Sequence, residues 1–298
     1  LNPVGAGSSP YASPSAFAGN PLLISLEMLA DKGLLTEVDL QDASVMDNGK
    51  TDYSWAQMLK PSLMFKAYIN FFNTSTKEDR EDFQKFVDAN QYWLRDYAMF
   101  QALKDWHNGK GWNEWDAEFV RRDEVALDAM EEQLSYEIGE VMFEQYIFNQ
   151  QWQALKKYAN DKGIKIMGDM PIFVSQDSAD AWAHQQLFKL DQNGRRYQVA
   201  GVPPDYFSET GQLWGNPQYN WEIMKQDGYD WWIRRFKNIL KQVDIVRIDH
   251  FRGFESFWEV DGDAKTAIDG AWRPGPGKPF FDLVRKAIGN VPIVAEDL

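Results

Sequence analysis

The sequence predicts an α/β fold with parallel strands, and three observations carry that prediction. Three short apolar runs, residues 164–174, 243–251 and 291–298, read as buried strands. None alternates cleanly between apolar and polar residues, as expected where parallel strands are covered on both faces. Each run follows a stretch with helical spacing, and a repeated helix–strand order implies parallel strands joined by right-handed crossovers. A closed barrel and an open doubly wound sheet both satisfy that order. No GxGxxG turn follows any of the three strands, which weakens the dinucleotide-binding version of the open sheet.

Taken in order, residues 2–21 are rich in Pro, Gly and Ser and lack periodicity, so they read as a long loop. Residues 31–144 are helical, charged and aromatic, with no convincing strand. From Lys77 to Glu144 there are 18 acidic and 8 basic side chains, a net of −10, so most of the chain's negative charge falls there. It reads as the solvated surface of a helical subdomain. Phe148, Trp152, Leu155 and Ala159 then keep helical spacing, and Gly163 ends that helix before the first strand. Residues 200–221 show neither helix nor strand rhythm. Long loops inside a compact domain are functional or disordered, and disordered segments are poor in aromatics, so this loop and 2–21 read as ordered binding loops. Trp232, Phe236, Ile239 and Val243 make the helix before the second strand. Phe281, Val284 and Ile288, followed by Gly289, make the one before the third.

Composition narrows the function. The chain has 298 residues and a net charge of −14, which argues against a nucleic-acid partner or an anionic membrane surface, since both need a basic face. Its apolar runs are too short to span a bilayer. Residues 1–7 have neither a charged start nor an apolar stretch, so no secretory signal is expected there. There are no cysteines, which removes disulfides and thiolate chemistry and fits a reducing, cytoplasmic setting. Aromatics make up 15% of the chain. They serve as core, and beside many carboxylates they also suit stacking on sugar rings.

The carboxylates fall at equivalent places. Each predicted strand ends with an acid: Asp169 in the first, Asp249 in the second, Glu296 in the third. In a parallel barrel such positions face the active site, although one acid alone could be a helix cap. Two carboxylates near an arginine suggest glycoside chemistry, in which one attacks the anomeric carbon and the other protonates the leaving oxygen. Arg247 and Asp249 lie two apart on one strand and so face the same side. The cation would keep Asp249 anionic, as a nucleophile requires, and a structural ion pair between them does not exclude this. Glu296 follows Val294 and Ala295, and an apolar, aromatic-walled setting would favour its protonated form, as an acid requires. Alternation puts Asp297 on the other face, favouring Glu296 if Val294 points inward. His250 directly follows Asp249 and points away from the centre unless the strand has already ended. The three histidines are too scattered for a metal cluster, and no metal or cofactor is expected. A divalent ion held by Asp169, Asp249 and Glu296 is the competing possibility, but no strand end supplies the lysine base such sites usually bring.

At this point the residues resemble a known family. Ser9-Pro10-Tyr11, Ser15-Ala16-Phe17-Ala18-Gly19-Asn20-Pro21, Gly168-Asp169-Met170-Pro171-Ile172 and Pro203-Pro204-Asp205 look like 4-α-glucanotransferases. So do Gly211-Gln212-Leu213-Trp214-Gly215-Asn216-Pro217, Arg247-Ile248-Asp249-His250-Phe251-Arg252-Gly253 and Ala295-Glu296-Asp297-Leu298. These enzymes, also called amylomaltases or disproportionating enzymes, are relatives of the α-amylases. The match runs along the whole chain, with the motifs in order. One departure is Ser8, where the family commonly has an acidic residue.

The resemblance implies a (β/α)8 TIM barrel with helical insertions, and transfer of α-1,4-glucan segments to an acceptor 4-hydroxyl by retaining double displacement. Asp249 matches the nucleophile and Glu296 the acid/base. Arg247 and His250 match residues that hold the reacting sugar. Ser9, Tyr11, Asp169, Asp205, Gln212 and Trp214 match positions that line the subsites. Residues 1–30 would be a barrel segment with a substrate loop, 31–144 a helical insertion, and 145–298 a barrel segment covering strands 3 to 5. The last would carry a lid loop at 200–221, most clearly at Gly211–Pro217. Only part of the barrel would be present, from the end of strand 2 to strand 5, and the third carboxylate of the family would lie outside it. A longer parent protein is therefore expected, with this segment inactive alone. An α-amylase-type hydrolase and a non-catalytic glucan-binding chain remain alternatives.

Overall fold

The computed structural model describes residues 1–41 and 52–296. Helices α1 (Leu26–Asp31), α2 (Tyr53–Thr74), α3 (Lys77–Trp106), α4 (Ala117–Val120), α5 (Glu124–Gln133) and α6 (Ser135–Asp161) come first. Strand β1 (Met167–Pro171), the short α7 (Ala179–Ala183), and strands β2 (Gln198–Val202) and β3 (Gln212–Pro217) follow. Then come α8 (Trp221–Gln226), α9 (Asp230–Gln242), β4 (Ile245–Asp249), β5 (Ser256–Asp261), β6 (Gly270–Pro274), α10 (Gly277–Ile288) and β7 (Ile293–Ala295).

Local chemistry explains the long helices. Thr76 and Asp79 form a reciprocal capping box at the start of α3, satisfying two backbone donors that would otherwise lack partners. At the end of α6, Gly163 takes φ +75. Its N–H donates to the Asn160 carbonyl and that of Ile164 to the Ala159 carbonyl, the pattern that closes a helix on a left-handed residue.

All three expected strands exist and are parallel, in the order β1–β4–β7, each preceded by its expected helix. Their burial differs from expectation. Val246 and Ile248 are fully buried, while Ile245, Arg247 and Asp249, alternating with them, are half-exposed. Among the described residues one face of the sheet is covered and the other open, because α9 and α10 pack on the Val246 side and the opposite side carries charge.

The 200–221 stretch is not an irregular loop. It contains most of the antiparallel pair β2–β3, within a four-stranded sheet of order β3–β2–β5–β6. Gly211–Pro217 is almost wholly strand β3. Strand rhythm is hidden there because Val199, Ala200 and Gly201 are all buried in succession, and Gly201 sits so near the Gln212 carbonyl that a Cβ would approach it to 2.5 Å. Residues 2–21 hold two three-residue 3-10 turns, Ala6–Ser8 and Pro10–Ala12, are otherwise irregular, and are held in place by long-range bonds. Gln145 clamps Gly19 through both its N–H and carbonyl, and Asn238 donates to the Phe17 carbonyl.

The largest core cluster joins Trp93, Tyr97 and Phe100 of α3 to Met170 and Ile172 near β1 and to Val246 and Ile248 of β4. At its centre Trp232 is fully buried among Phe236, Phe254 and Phe280, with ring centroids 5.2–6.0 Å apart. Each such aromatic pair contributes about 0.5–1.5 kcal/mol beyond its buried area.

Candidate active site

The parallel register builds the centre of the site. Asp169 on β1 stands opposite Arg247 on β4, and Arg247 opposite Val294 on β7. Side chains alternate along a strand, so Asp249 and Glu296, each two residues further on, share that face. It is the open face. Arg247 lies among three carboxylates. Its Nη1 donates to Asp169 Oδ1 at 2.5 Å, and its Nη2 lies 3.6 Å from Asp249 Oδ1 and 3.5 Å from Glu296 Oε1. The bond to Asp169, with the charges of Asp249 and Glu296 added, raises the Arg247 pKa above its ordinary value. Because both reach one nitrogen, those Asp249 and Glu296 oxygens are no more than about 7 Å apart, a limit that includes the retaining spacing of about 5–5.5 Å.

Glu296 lies just beyond β7, where the ladder with β4 continues: its N–H donates to the Ile248 carbonyl, and its own carbonyl accepts from Phe251. Its carboxylate accepts from the His250 N–H at 3.0 Å. The apolar, aromatic-walled setting expected for it is therefore not what the structure shows. The carboxylate faces a guanidinium and a backbone N–H, and Val294 is 41% exposed, because β7 is the edge strand among the described residues. Asp297 lies outside the described residues.

His250 resolves a conditional expectation. β4 ends at Asp249, and His250 adopts a left-handed backbone, φ +56, that brings its ring to the cleft. The ring meets Trp214 edge-on, centroids 4.9 Å apart and planes at 89°. Burial pushes its pKa below the usual histidine value, with Glu296 opposing. Tyr11 reaches in from the first loop, donating its hydroxyl to Asp169 Oδ2 at 3.1 Å, while Ser9 Oγ accepts the Tyr11 N–H. Burial, then the Asp169 charge, pushes the Tyr11 hydroxyl up.

These groups border a cleft of about 640 Å³ whose lining includes Ser9, Tyr11, Trp214, Asp249 and His250. Asp169, Arg247 and Glu296 adjoin it through the contacts above. Asp205 and Gln212 are placed differently. Asp205 Oδ1 accepts the N–H groups of Phe207 and Ser208 at 2.8 Å, shaping a turn whose Tyr206 and Phe207 are 98% and 91% exposed. Gln212 accepts from the Trp214 indole at 3.1 Å. Neither lines the cleft; both belong to the β2–β3 hairpin, whose residues Trp214 to Asn216 do. Sequence reasoning missed Phe173, Asn216 and Arg196 in the lining. Phe173 lies inside the first apolar run and Asn216 inside the Gly211–Pro217 motif, so both had a signal. Arg196 had none.

The 4-alpha-glucanotransferase family model matches residues 1–298. A 4-alpha-glucanotransferase of Synechocystis is 48% identical over 300 residues, covering 100% of this chain and 59% of the relative. One from Thermus thermophilus is 46% identical over 298 residues, again covering 100% and 59%. The chain thus spans about 59% of the length of these curated relatives. Among solved structures, the amylomaltase of Streptococcus agalactiae in complex with acarbose superposes with a TM-score of 0.95 at 41% identity, covering 100% of this chain and 60% of that one. The amylomaltase of Corynebacterium glutamicum, at 19% identity and a TM-score of 0.73, shares the fold. A full-length family match, near-half identity along the chain and a strand-end cluster of three carboxylates around one arginine agree: this chain belongs to the 4-alpha-glucanotransferase family.

Proposed function

We propose that this chain carries the carboxylate centre of an enzyme that moves α-1,4-glucan segments onto the 4-hydroxyl of another sugar. The observation that carries the reading is the convergence of Asp249 and Glu296 on Arg247 at the ends of two parallel strands. In this proposal Asp249 attacks the anomeric carbon while Glu296 gives a proton to the departing 4-oxygen, leaving a glucosyl ester on Asp249. Glu296 then takes the proton of the acceptor 4-hydroxyl, whose oxygen attacks the same carbon and frees Asp249. Arg247 holds the nucleophile anionic. Tyr11, Asp169, Trp214 and His250 orient the reacting sugar, and Ser9 holds the Tyr11 turn. Asp205 and Gln212 contribute when the hairpin tip covers the cleft, excluding water so that a sugar captures the intermediate.

The same proposal places the three parallel strands in a (β/α)8 barrel whose interior is the open face. Residues 1–30 and 145–298 are then barrel segments, 31–144 is the helical insertion, and the third family carboxylate comes from outside this chain. The superposition on an amylomaltase supports it. The substrates are maltooligosaccharides or longer α-1,4-glucans, and acarbose, bound by the Streptococcus relative, is expected to occupy this cleft. A cytoplasmic setting belongs to the proposal and rests on the absence of cysteine. No helix among the described residues is long and apolar enough to cross a membrane. That the three acids gather around a guanidinium favours glycosyl chemistry over the metal-dependent alternative.

The test is to give the full-length protein maltotriose and resolve the products. A ladder of longer maltooligosaccharides is expected. Glucose and maltose alone would indicate a hydrolase, and binding without turnover a glucan-binding protein.

A further inference from the structure

We propose that Arg235 is a positioning residue of the cleft, fixing from the buried side of α9 the backbone of two of its walls. Arg235 is 4% exposed, and its guanidinium spans two successive carbonyls, Nη2 donating to Pro171 at 2.6 Å and Nη1 to Ile172 at 3.2 Å. Both residues line the cleft, Pro171 as the last residue of the strand that carries Asp169 and Ile172 directly after it. The Tyr219 hydroxyl donates to the Ile172 carbonyl as well, at 2.7 Å. The second wall is the first loop, with Ser9 and Tyr11. Asp180, 4% exposed, accepts the Ala16 N–H at 2.7 Å; burial pushes its carboxyl up to about 6, opposed by the Ala16 bond and by the charge of Arg235. Asn238, three residues after Arg235 and on the same side of α9, holds the neighbouring Phe17 carbonyl at 2.9 Å. One helix therefore ties down both walls, and the strand that follows it carries Arg247 and Asp249.

The chemistry favours arginine here. Withdrawing a guanidinium from water is costly unless its N–H groups and charge are matched. Two carbonyls, the charge of Asp180 and the rings of Trp232 and Trp231, at 4.9 and 5.4 Å, supply most of that matching, while Nε finds no hydrogen-bond partner among the described residues and burial still lowers the pKa of the group. A planar fork reaches two successive carbonyls in fixed geometry, whereas a lysine ammonium is a single point on a flexible stem. Arg235 is buried and is not among the cleft-lining residues; it acts through the backbone.

The inference about backbone order stands on geometry alone, while its effect on sugar binding rests on the glucan reading. Both are tested with Arg235→Lys in the full-length protein, by amide hydrogen exchange and by calorimetric titration with maltotetraose. Exchange in residues 11–18 and 171–177 is expected to quicken at least about tenfold while β5 and β6 keep their rates, and the Kd to rise about tenfold. Unchanged exchange in both segments, or acceleration spread evenly over the chain, overturns the proposal. If Arg235→Lys does not fold, Asp180→Asn keeps an acceptor for Ala16 but removes the charge facing Arg235. Residues 11–18 should then exchange faster, and unchanged rates there overturn the proposal equally. An unsubstituted protein that binds no maltotetraose sinks the glucan reading and leaves the exchange data to decide the positioning role.

Discussion

Arg247 is the cation at the centre of a cluster of three acids, and it holds them unequally. Asp169 takes a short bond, at 2.5 Å, while Asp249 and Glu296 are held as ion pairs at 3.6 and 3.5 Å. If Asp249 is the nucleophile, Asp249→Asn in the full-length protein should lower transfer from maltotriose by at least about a thousandfold while sugar affinity stays within about tenfold. Product analysis with calorimetry checks this, and retention of more than a tenth of the activity would remove Asp249 from the role. The Arg247–Asp249 pair was legible because two residues on one strand share a face. The partnership with Asp169 was not, since it depends on a register set 78 residues away. The expected surroundings of Glu296 were wrong for a related reason: local neighbours cannot reveal that a guanidinium from β4 lies across the sheet.

The β2–β3 hairpin and the α3–α6 helix pair show what local pattern conceals. The hairpin was read as loop because glycines and prolines interrupt its rhythm, yet its pairing with β5 and its seat over the cleft are tertiary. In the helix pair, charge that reads as solvated face is partly withdrawn from water. Burial first, then neighbouring acids, raises the Glu140 carboxyl to about 7 and that of Glu144 to about 8. The native state therefore holds protons there that the unfolded chain has released above its ordinary value near 4.5. This contribution is full at lower pH and is lost as pH rises through about 7 to about 8. Glu144→Gln should raise the thermal midpoint at pH 8, by about 2–4 °C for each kcal/mol gained, and leave it nearly unchanged at pH 5. Circular dichroism melts at the two pH values decide; a variant less stable at both contradicts the account.

Viewed whole, the chain is less divisible than its charge pattern suggests. The acidic helical stretch and the parallel strands share one continuous core, from Trp93 and Tyr97 to Val246 and Ile248. Packing across that boundary should couple their unfolding. Calorimetry on the protein is expected to show the 31–144 helices and the β1–β4–β7 sheet melting in one transition, with near-ultraviolet and far-ultraviolet signals coincident. Two separated transitions assigned to these segments would show them to be independent units.

Chain order, helix spacing and the acids at strand ends were enough to predict an α/β class, three parallel strands and the strand-end groups Asp169, Arg247, Asp249 and Glu296, because these depend on neighbours within a turn or a strand. Ser9, Tyr11 and Trp214 of the cleft were named only by the family resemblance. Register, the left-handed turn that brings His250 to Trp214, the hairpin wall and the Arg235 clamp came only with the folded chain. Each of those depends on contacts between segments distant in sequence, and such contacts leave no periodicity to read.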